Sequence, residues 1–398
     1  MAEAMGTRQR MVSWQRLATI AATLFVAACS TIVPKGPPPP VTGPAQTRPS
    51  ETGPIQGGIP TDNDRDRVAL LVPLTGQNAG VGKSLANATQ MALLDTGSAK
   101  VRITTYDTNG GAAAAANRAL ADGNKLILGP LLAEDVRAIE PIASRAHVPI
   151  ITFSNDASVA GDGVYLLGYV PSQAIDRVVS YAQSRGVTTF AGLMPNGLYG
   201  QRASTAFLRS VEDAGGQVVS LQTYDRSSAS VSTAVKRMAA KAPYGAVLIA
   251  DSGATAAMVA PTLKKAVGMD TRLLGTELWN TESSIASKTS LNGAWFASVP
   301  DELYRQYAVK YRSRFGAAPY RLSSLGYDAV LLTVRVARDW RPGSDFPQSD
   351  LRDPGGFSGI DGAFRFGRDG IAQRALEVQE IRDGRTVVIS PAPTSFGK

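Results

Sequence analysis

From Arg67 onward, short apolar runs rich in β-branched residues alternate with longer stretches in which apolar residues recur at helical spacing. Val68–Leu74, Lys100–Tyr106, Leu126–Leu128 and Val148–Phe153 read as strands. Lys83–Leu94, Ala112–Asp122 and Ala133–Ala146 read as the helices between them. The series pauses near residues 164–168 and restarts. Ser172–Ser184, Gln201–Ala214, Val231–Lys241 and Ala254–Val267 read as helices, with strands at Thr188–Leu193, Gln217–Leu221, Ala246–Ile249 and Arg272–Leu274. Such βαβ repetition predicts parallel sheets covered by helices on both faces. Two consecutive series of similar size predict an α/β fold of two Rossmann-like lobes. A strand at Ala294–Val299 and helices near Asp301–Phe315 and Ser323–Asp339 are too few for a third lobe and must complete one of these. The end changes character, with short antiparallel strands expected at Ala363–Phe366, Ala375–Ile381 and Arg385–Ile389.

The first 65 residues follow neither period. Arg8, Arg10 and Arg16 precede Leu17–Ala28, an uncharged and mostly apolar run. It is too short to cross a bilayer as a helix and has the length of a signal-peptide core. It ends in Val26-Ala27-Ala28-Cys29-Ser30, which resembles a bacterial lipobox. That resemblance implies cleavage before Cys29, lipidation of Cys29 and stable membrane anchoring. Ser30, in place of aspartate, implies sorting to the outer membrane. Residues 30–65 hold nine of the 24 prolines and almost no large apolar residue, so they are expected to form a disordered, proline-rich tether.

Composition narrows the chemistry. The formal net charge is +8, but the basic residues are scattered, with no run of five and no basic stripe interleaved with aromatics. No nucleic-acid partner is expected. Cys29 and His147 are the single cysteine and the single histidine. An internal disulfide and a Cys/His zinc site are therefore excluded. His147 stands in a helix-to-strand turn, and no G-x-S-x-G elbow accompanies it. No cofactor and no catalytic residue is expected.

Gly76-Gln77-Asn78-Ala79-Gly80-Val81-Gly82-Lys83-Ser84 follows the first strand and ends like a phosphate-binding loop. That loop needs four residues between its glycines, because its backbone path aims successive N–H groups at phosphate. Five separate Gly76 from Gly82.

The same stretch, "ALLVPLTGQNAGVGKSLANATQMAL", resembles the opening of the type I periplasmic-binding-protein family, the Leu/Ile/Val-binding kind. "LILGPLLAEDV", "VPIITFSND", "GLMPNGLYGQRASTAFLRSVEDAGGQVV", "LLGTELW" and "FSGIDGAFRFGRDGIAQRALEVQEIRDG" are similar to later segments of that family, in the same order, over residues 66–391. The resemblance implies two lobes joined by a hinge, with ligand held in the cleft between them. Lobe 1 is expected at 66–169 plus 294–341, and lobe 2 at 170–293 plus 342–398. It also implies site residues. Ser154 and Asn155 match a loop that holds a ligand carboxylate, although both residue types also cap helices. Glu277 matches an acid that holds an ammonium, and equally fits a solvated loop acid. Tyr199 matches a tyrosine of the second lobe. Gly76, Leu131 and Leu132 complete the residues expected at the cleft. Leu131 and Leu132 stand where amino-acid-binding members carry a hydroxyl residue, and the loop 250–253 lacks the expected tyrosine.

Lipobox, tether and "FSNDASVAG" followed by "VYLLGYVPSQAIDRVVSYA" are together similar to the penicillin-binding-protein activator lipoproteins. The large N-terminal helical-repeat domain of the best-known members has no counterpart in the sequence. This resemblance implies a non-enzymatic, outer-membrane-anchored periplasmic regulator whose partner is a peptidoglycan synthase. The alternative is a solute-binding protein for amino acids or related metabolites, serving an ABC importer or a sensor.

Overall fold

The computed structural model describes residues 64–396 except Arg226 and Ser283. The signal sequence, the lipidated Cys29 and nearly all of the tether expected at 1–65 lie outside the described residues.

The first series runs β1 (Asp66–Val72), α1 (Ala79–Thr96), β2 (Val101–Asp107), α2 (Ala112–Ala121), β3 (Leu126–Leu128), α3 (Ala133–Arg145), β4 (Ile150–Thr152) and β5 (Val164–Leu166). These strands form one parallel sheet in the order β2-β1-β3-β4-β5. Residues 68–72 of β1 are wholly buried, as expected of a central parallel strand covered on both faces.

The second series runs α4 (Pro171–Ser184), β6 (Thr189–Pro195), α5 (Leu198–Asp213), β7 (Gln217–Tyr224), α6 (Ser228–Ala239), β8 (Ala246–Ile249), α7 (Gly253–Val267) and β9 (Arg272–Gly275). Next come β10 (Trp295–Ser298), α8 (Glu302–Phe315) and α9 (Ser324–Val336). The chain ends with β11 (Phe357–Gly359), β12 (Gly362–Phe366), β13 (Ala372–Arg374), β14 (Glu377–Arg382) and β15 (Arg385–Ser390). The second sheet has the order β15-β14-β10-β9-β8-β6-β7, and β11-β12-β13 form a small antiparallel sheet of their own.

Two placements differ from the expected lobe boundaries. β10, expected in lobe 1, pairs parallel with β9 and antiparallel with β14, so it belongs to the second sheet. Only α8 and α9 return to the first lobe, where α9 packs on α1. The segment 357–374, expected in lobe 2, also lies on the first lobe. Phe357, Phe364 and Phe366 share one core with Val68, Leu70 and Leu325. Phe364 and Phe366 are two residues apart on a strand and therefore face the same way. That period shows an inward face but not which core it joins. The chain thus passes between the lobes after β5, after β10 and after β13.

The phosphate-loop look-alike has a packing explanation. Helix α1 begins at Ala79, so Gly82, Lys83 and Ser84 lie inside it rather than in an open loop. A Cβ on Gly82 would stand 1.8 Å from the Pro73 carbonyl oxygen. Gly200 repeats the arrangement in the second lobe, 1.7 Å from the Pro195 oxygen. In both lobes glycine lets the first turn of a helix press against the end of the preceding strand.

Candidate functional site: the interlobe pocket

A pocket opens where the chain crosses between the lobes. Tyr169 and Val170 follow β5, Ser298 ends β10 with Val299 just after it, and Arg374 and Leu376 flank the passage from β13 to β14. Glu277 and Arg321 also line it. Its free volume is 20 Å³, enough for about one water. A drug-sized ligand needs roughly 300–1,000 Å³.

Glu277 begins the 3-10 turn that follows β9. Its Oε1 accepts a hydrogen bond from the Tyr199 hydroxyl at 3.0 Å, and the same hydroxyl lies 3.0 Å from Thr276 Oγ1. Glu277 Oε2 is buried without a hydrogen-bond partner. Burial raises the carboxyl from its ordinary 4.5 to about 7, against the lowering effect of its hydrogen bonds.

Opposite lies a buried ionic network of the first lobe. Arg321, just before α9, donates from Nη1 to Asp361 Oδ1 at 2.7 Å and to Ser324 Oγ at 2.9 Å. Asp361 also accepts from Ser324 at 2.8 Å and from the Tyr169 hydroxyl. Burial acts to raise the Asp361 carboxyl, but Arg321 and Arg374 outweigh it and hold it below its ordinary value. Neighbouring Asp328 accepts from the Ile360 and Asp361 amides. Burial and the charge of Asp361 push its carboxyl up to about 7. The Arg321 guanidinium stacks 3.9 Å from the Tyr304 ring centre, and Arg374 stands 4.9 Å from that of Tyr169.

A second ionic contact joins the lobes at the rim. Asp156, in the loop after β4, is buried and meets Arg202 of α5 at 2.5 Å and Arg137 of α3 at 2.7 Å. Burial acts to raise its carboxyl, but hydrogen bonds from Arg202, Ser158 and Arg137 prevail and lower it.

Of the residues singled out from sequence, Glu277 lines the pocket and Tyr199 supports it from behind. Gly76, Leu131, Leu132, Ser154 and Asn155 do not line it. Ser154 is buried, and its hydroxyl accepts from the Asp156 amide at 3.1 Å. Asn155 is exposed, Gly76 sits in an exposed loop, and Leu131 packs against the first-lobe core. Tyr169, Arg321, Asp361 and Arg374 escaped the sequence reading. One signal for Arg374 existed: it shares the inward face of β13 with buried Ala372, where an arginine is out of place.

Among the described residues, no group of three or more His, Cys, Asp or Glu side chains could hold a metal ion. No described helix is long and apolar enough to cross a membrane. The arrangement provides charge, hydrogen bonds and a hinge, which are means of binding.

Comparison with known proteins agrees with this geometry. A family profile described as "periplasmic binding protein" matches residues 67–386. A penicillin-binding protein activator, LpoA of Photobacterium profundum, is 26% identical over 163 residues, 40% of this chain and 27% of that protein. The chain spans less than half the length of the curated relatives it matches, 46% and 27%. A putative branched-chain amino acid ABC transporter structure from Rhodospirillum rubrum superposes with a TM-score of 0.73 at 20% identity, covering 82% of this chain and all of that one. The C-domain of LpoA from Haemophilus influenzae, described as a regulator of PBP1A, superposes with a TM-score of 0.65 at 19% identity, covering 81% and 100%.

Proposed function

The chain belongs to the periplasmic binding protein family, and from that premise we propose that it is a non-catalytic regulator that docks onto a peptidoglycan-synthesising penicillin-binding protein. We place it in the periplasm, anchored to the outer membrane through lipid on Cys29. One observation carries the reading: Leu131 and Leu132 stand where amino-acid-binding members of this fold carry a hydroxyl residue. They bring no hydrogen-bonding side chain, while Asn155 is exposed and the Ser154 hydroxyl accepts from the Asp156 amide of its own loop. The similarity to LpoA, in sequence over part of the chain and in fold over its C-domain, supports the same choice. The test adds the purified chain to the penicillin-binding protein of the same organism and follows peptide crosslinking of glycan strands. A several-fold, saturable rise in rate is expected. An unchanged rate at micromolar excess overturns the reading.

A solute-binding role is the second reading. It is favoured by Glu277, whose carboxylate lines the pocket with one oxygen unpartnered, and by the fold likeness to ABC-transporter binding proteins. A ligand at 100 times its dissociation constant would add about 2.7 kcal/mol of stability. A melting scan against amino acids reads that directly.

A further inference from the structure

Buried carboxylate oxygens rarely lack partners. Asp66, the first residue of β1, is 1% exposed, and neither of its oxygens has a hydrogen-bond partner. Side chains alternate along a strand, so Asp66 shares a face with Val68, Leu70 and Val72. Those three pack in one core with Trp340, which follows α9. Asp66 and Trp340 also line a common pocket, together with Arg65, Arg67 and Lys125. Its free volume is 380 Å³, against 20 Å³ at the lobe crossings. A strand of seven residues spans about 20 Å. Asp66 starts β1 and Tyr169 follows the parallel β5, so the two pockets stand at opposite ends of the first sheet.

The surroundings decide what would satisfy Asp66. Burial pushes its carboxyl up to about 6, and Lys100 acts to lower it. At neutral pH it is largely ionised and can only accept. Lys100 is spent elsewhere: its Nζ donates to the Ala337 and Arg338 carbonyls, at 3.4 and 2.8 Å. With Lys100 near and three more cationic side chains lining the pocket, a cationic donor would be repelled. Neutral donors would not, and a negative charge elsewhere on the ligand would be drawn to the rim. Neighbouring hydroxyls of a sugar supply two neutral donors for the two oxygens of one carboxylate. Both oxygens are shielded from solvent in the present form, but the rim can open. Arg65 is exposed, and Lys125 meets Asp345 in an exposed ion pair at 2.9 Å, a kind of contact that holds little energy.

We propose that this pocket is a binding site for an acidic sugar, in which neighbouring hydroxyls donate to the Asp66 carboxylate and the acidic group meets Arg65 and Lys125. Its volume falls within the roughly 300–1,000 Å³ of small-molecule sites. The rim side chains turn outward to admit the sugar and return onto its acidic group.

The site does not rest on the docking role. Sugar binding without any effect on a synthase retains the site and removes the regulator, and the converse result does the reverse. The test uses the full chain in detergent and reads the melting midpoint and calorimetric heats with glucuronate and N-acetylmuramic acid. Glucose, N-acetylglucosamine, lactate and sodium chloride are the controls. At least one acidic sugar should raise the midpoint in a saturable way, with the neutral sugars and lactate at least tenfold weaker. Hydrogen exchange should slow at the start of β1 and at residues 337–345, not at 277–281. Asp66→Asn, which removes the buried charge and keeps the shape, should weaken binding tenfold or more. Arg65→Gln, on the exposed rim, should weaken it several-fold and serves as the test if Asp66→Asn does not fold. The proposal fails if neither acidic sugar at 10 mM moves the midpoint, if glucose or lactate acts as well, if protection appears at 277–281 instead, or if the variants bind unchanged. Water alone filling the pocket would give the first of these results.

Discussion

Burial in the pocket gives the folded chain a proton at Glu277 that the unfolded chain has already released. The carboxyl titrates near 4.5 when free and near 7 in the fold. The stability of the protonated form is fully present below about pH 4.5 and is lost as pH rises through about 7. Glu277→Gln removes that dependence. The variant should lose up to about 3 kcal/mol of pH-dependent decline between pH 4.5 and 7.5, measured as urea unfolding at several pH values. An unchanged slope would mean that the carboxyl is ionised in the fold. Gly82 makes a different single-residue case. A methyl group there meets the Pro73 carbonyl at 1.8 Å, and neither helix nor strand can give way without disturbing the sheet. Gly82→Ala should cost roughly 2–4 kcal/mol, whereas Lys83→Ala, at an exposed position, should be close to neutral in the same melts.

At the scale of elements, what was legible in the chain depended on how much of the answer was local. The run Val68–Val72 has no polar residue because both of its faces are covered, and such runs announce central parallel strands. β11 and β13 are three residues each, too short for a period to show. Their partners, and the core they join, are set by contacts across the chain. Phe364 is fully buried among Phe357, Phe366 and the first-lobe core. Phe364→Ala should cost about 3–5 kcal/mol and loosen the first lobe in hydrogen exchange. Protection lost only in β14 and β15 would contradict this placement. The Asp156 loop joins elements of different lobes. Arg202→Gln removes a charge-assisted contact and should cost about 1–2 kcal/mol, with a larger radius of gyration in solution scattering as the lobes part. An unchanged radius would show that the bridge does not hold the cleft. The contribution of Asp156 itself is present above the ordinary aspartate range and is lost as pH falls through its lowered pKa.

Over the whole molecule, the two-lobed α/β plan follows from the alternation of elements, while the pocket does not. Arg321 and Asp361 are 40 residues apart, and Tyr169 reaches them only because the chain passes between lobes beside them. No spacing in the sequence encodes that meeting. Glu277 was visible through the resemblance of the short segment LLGTELW to the periplasmic-binding-protein family, a match confined to neighbouring residues. The first-lobe residues that line the same pocket, Arg321 and Arg374, were hidden for the opposite reason. The same crossings give the fold its working logic. They bring a buried charged network and the Asp156–Arg202 ion pair to the region where the two lobes meet.

Docking onto a penicillin-binding protein, rather than delivery of a nutrient, is the role proposed for this chain. The most direct measurement is a calorimetric titration of the purified full chain into the penicillin-binding protein of its own organism. A saturable complex is expected, with a dissociation constant in the micromolar range or tighter, about −8 kcal/mol or better. No heat at protein concentrations of 100 µM, under conditions where both proteins are folded, would contradict it.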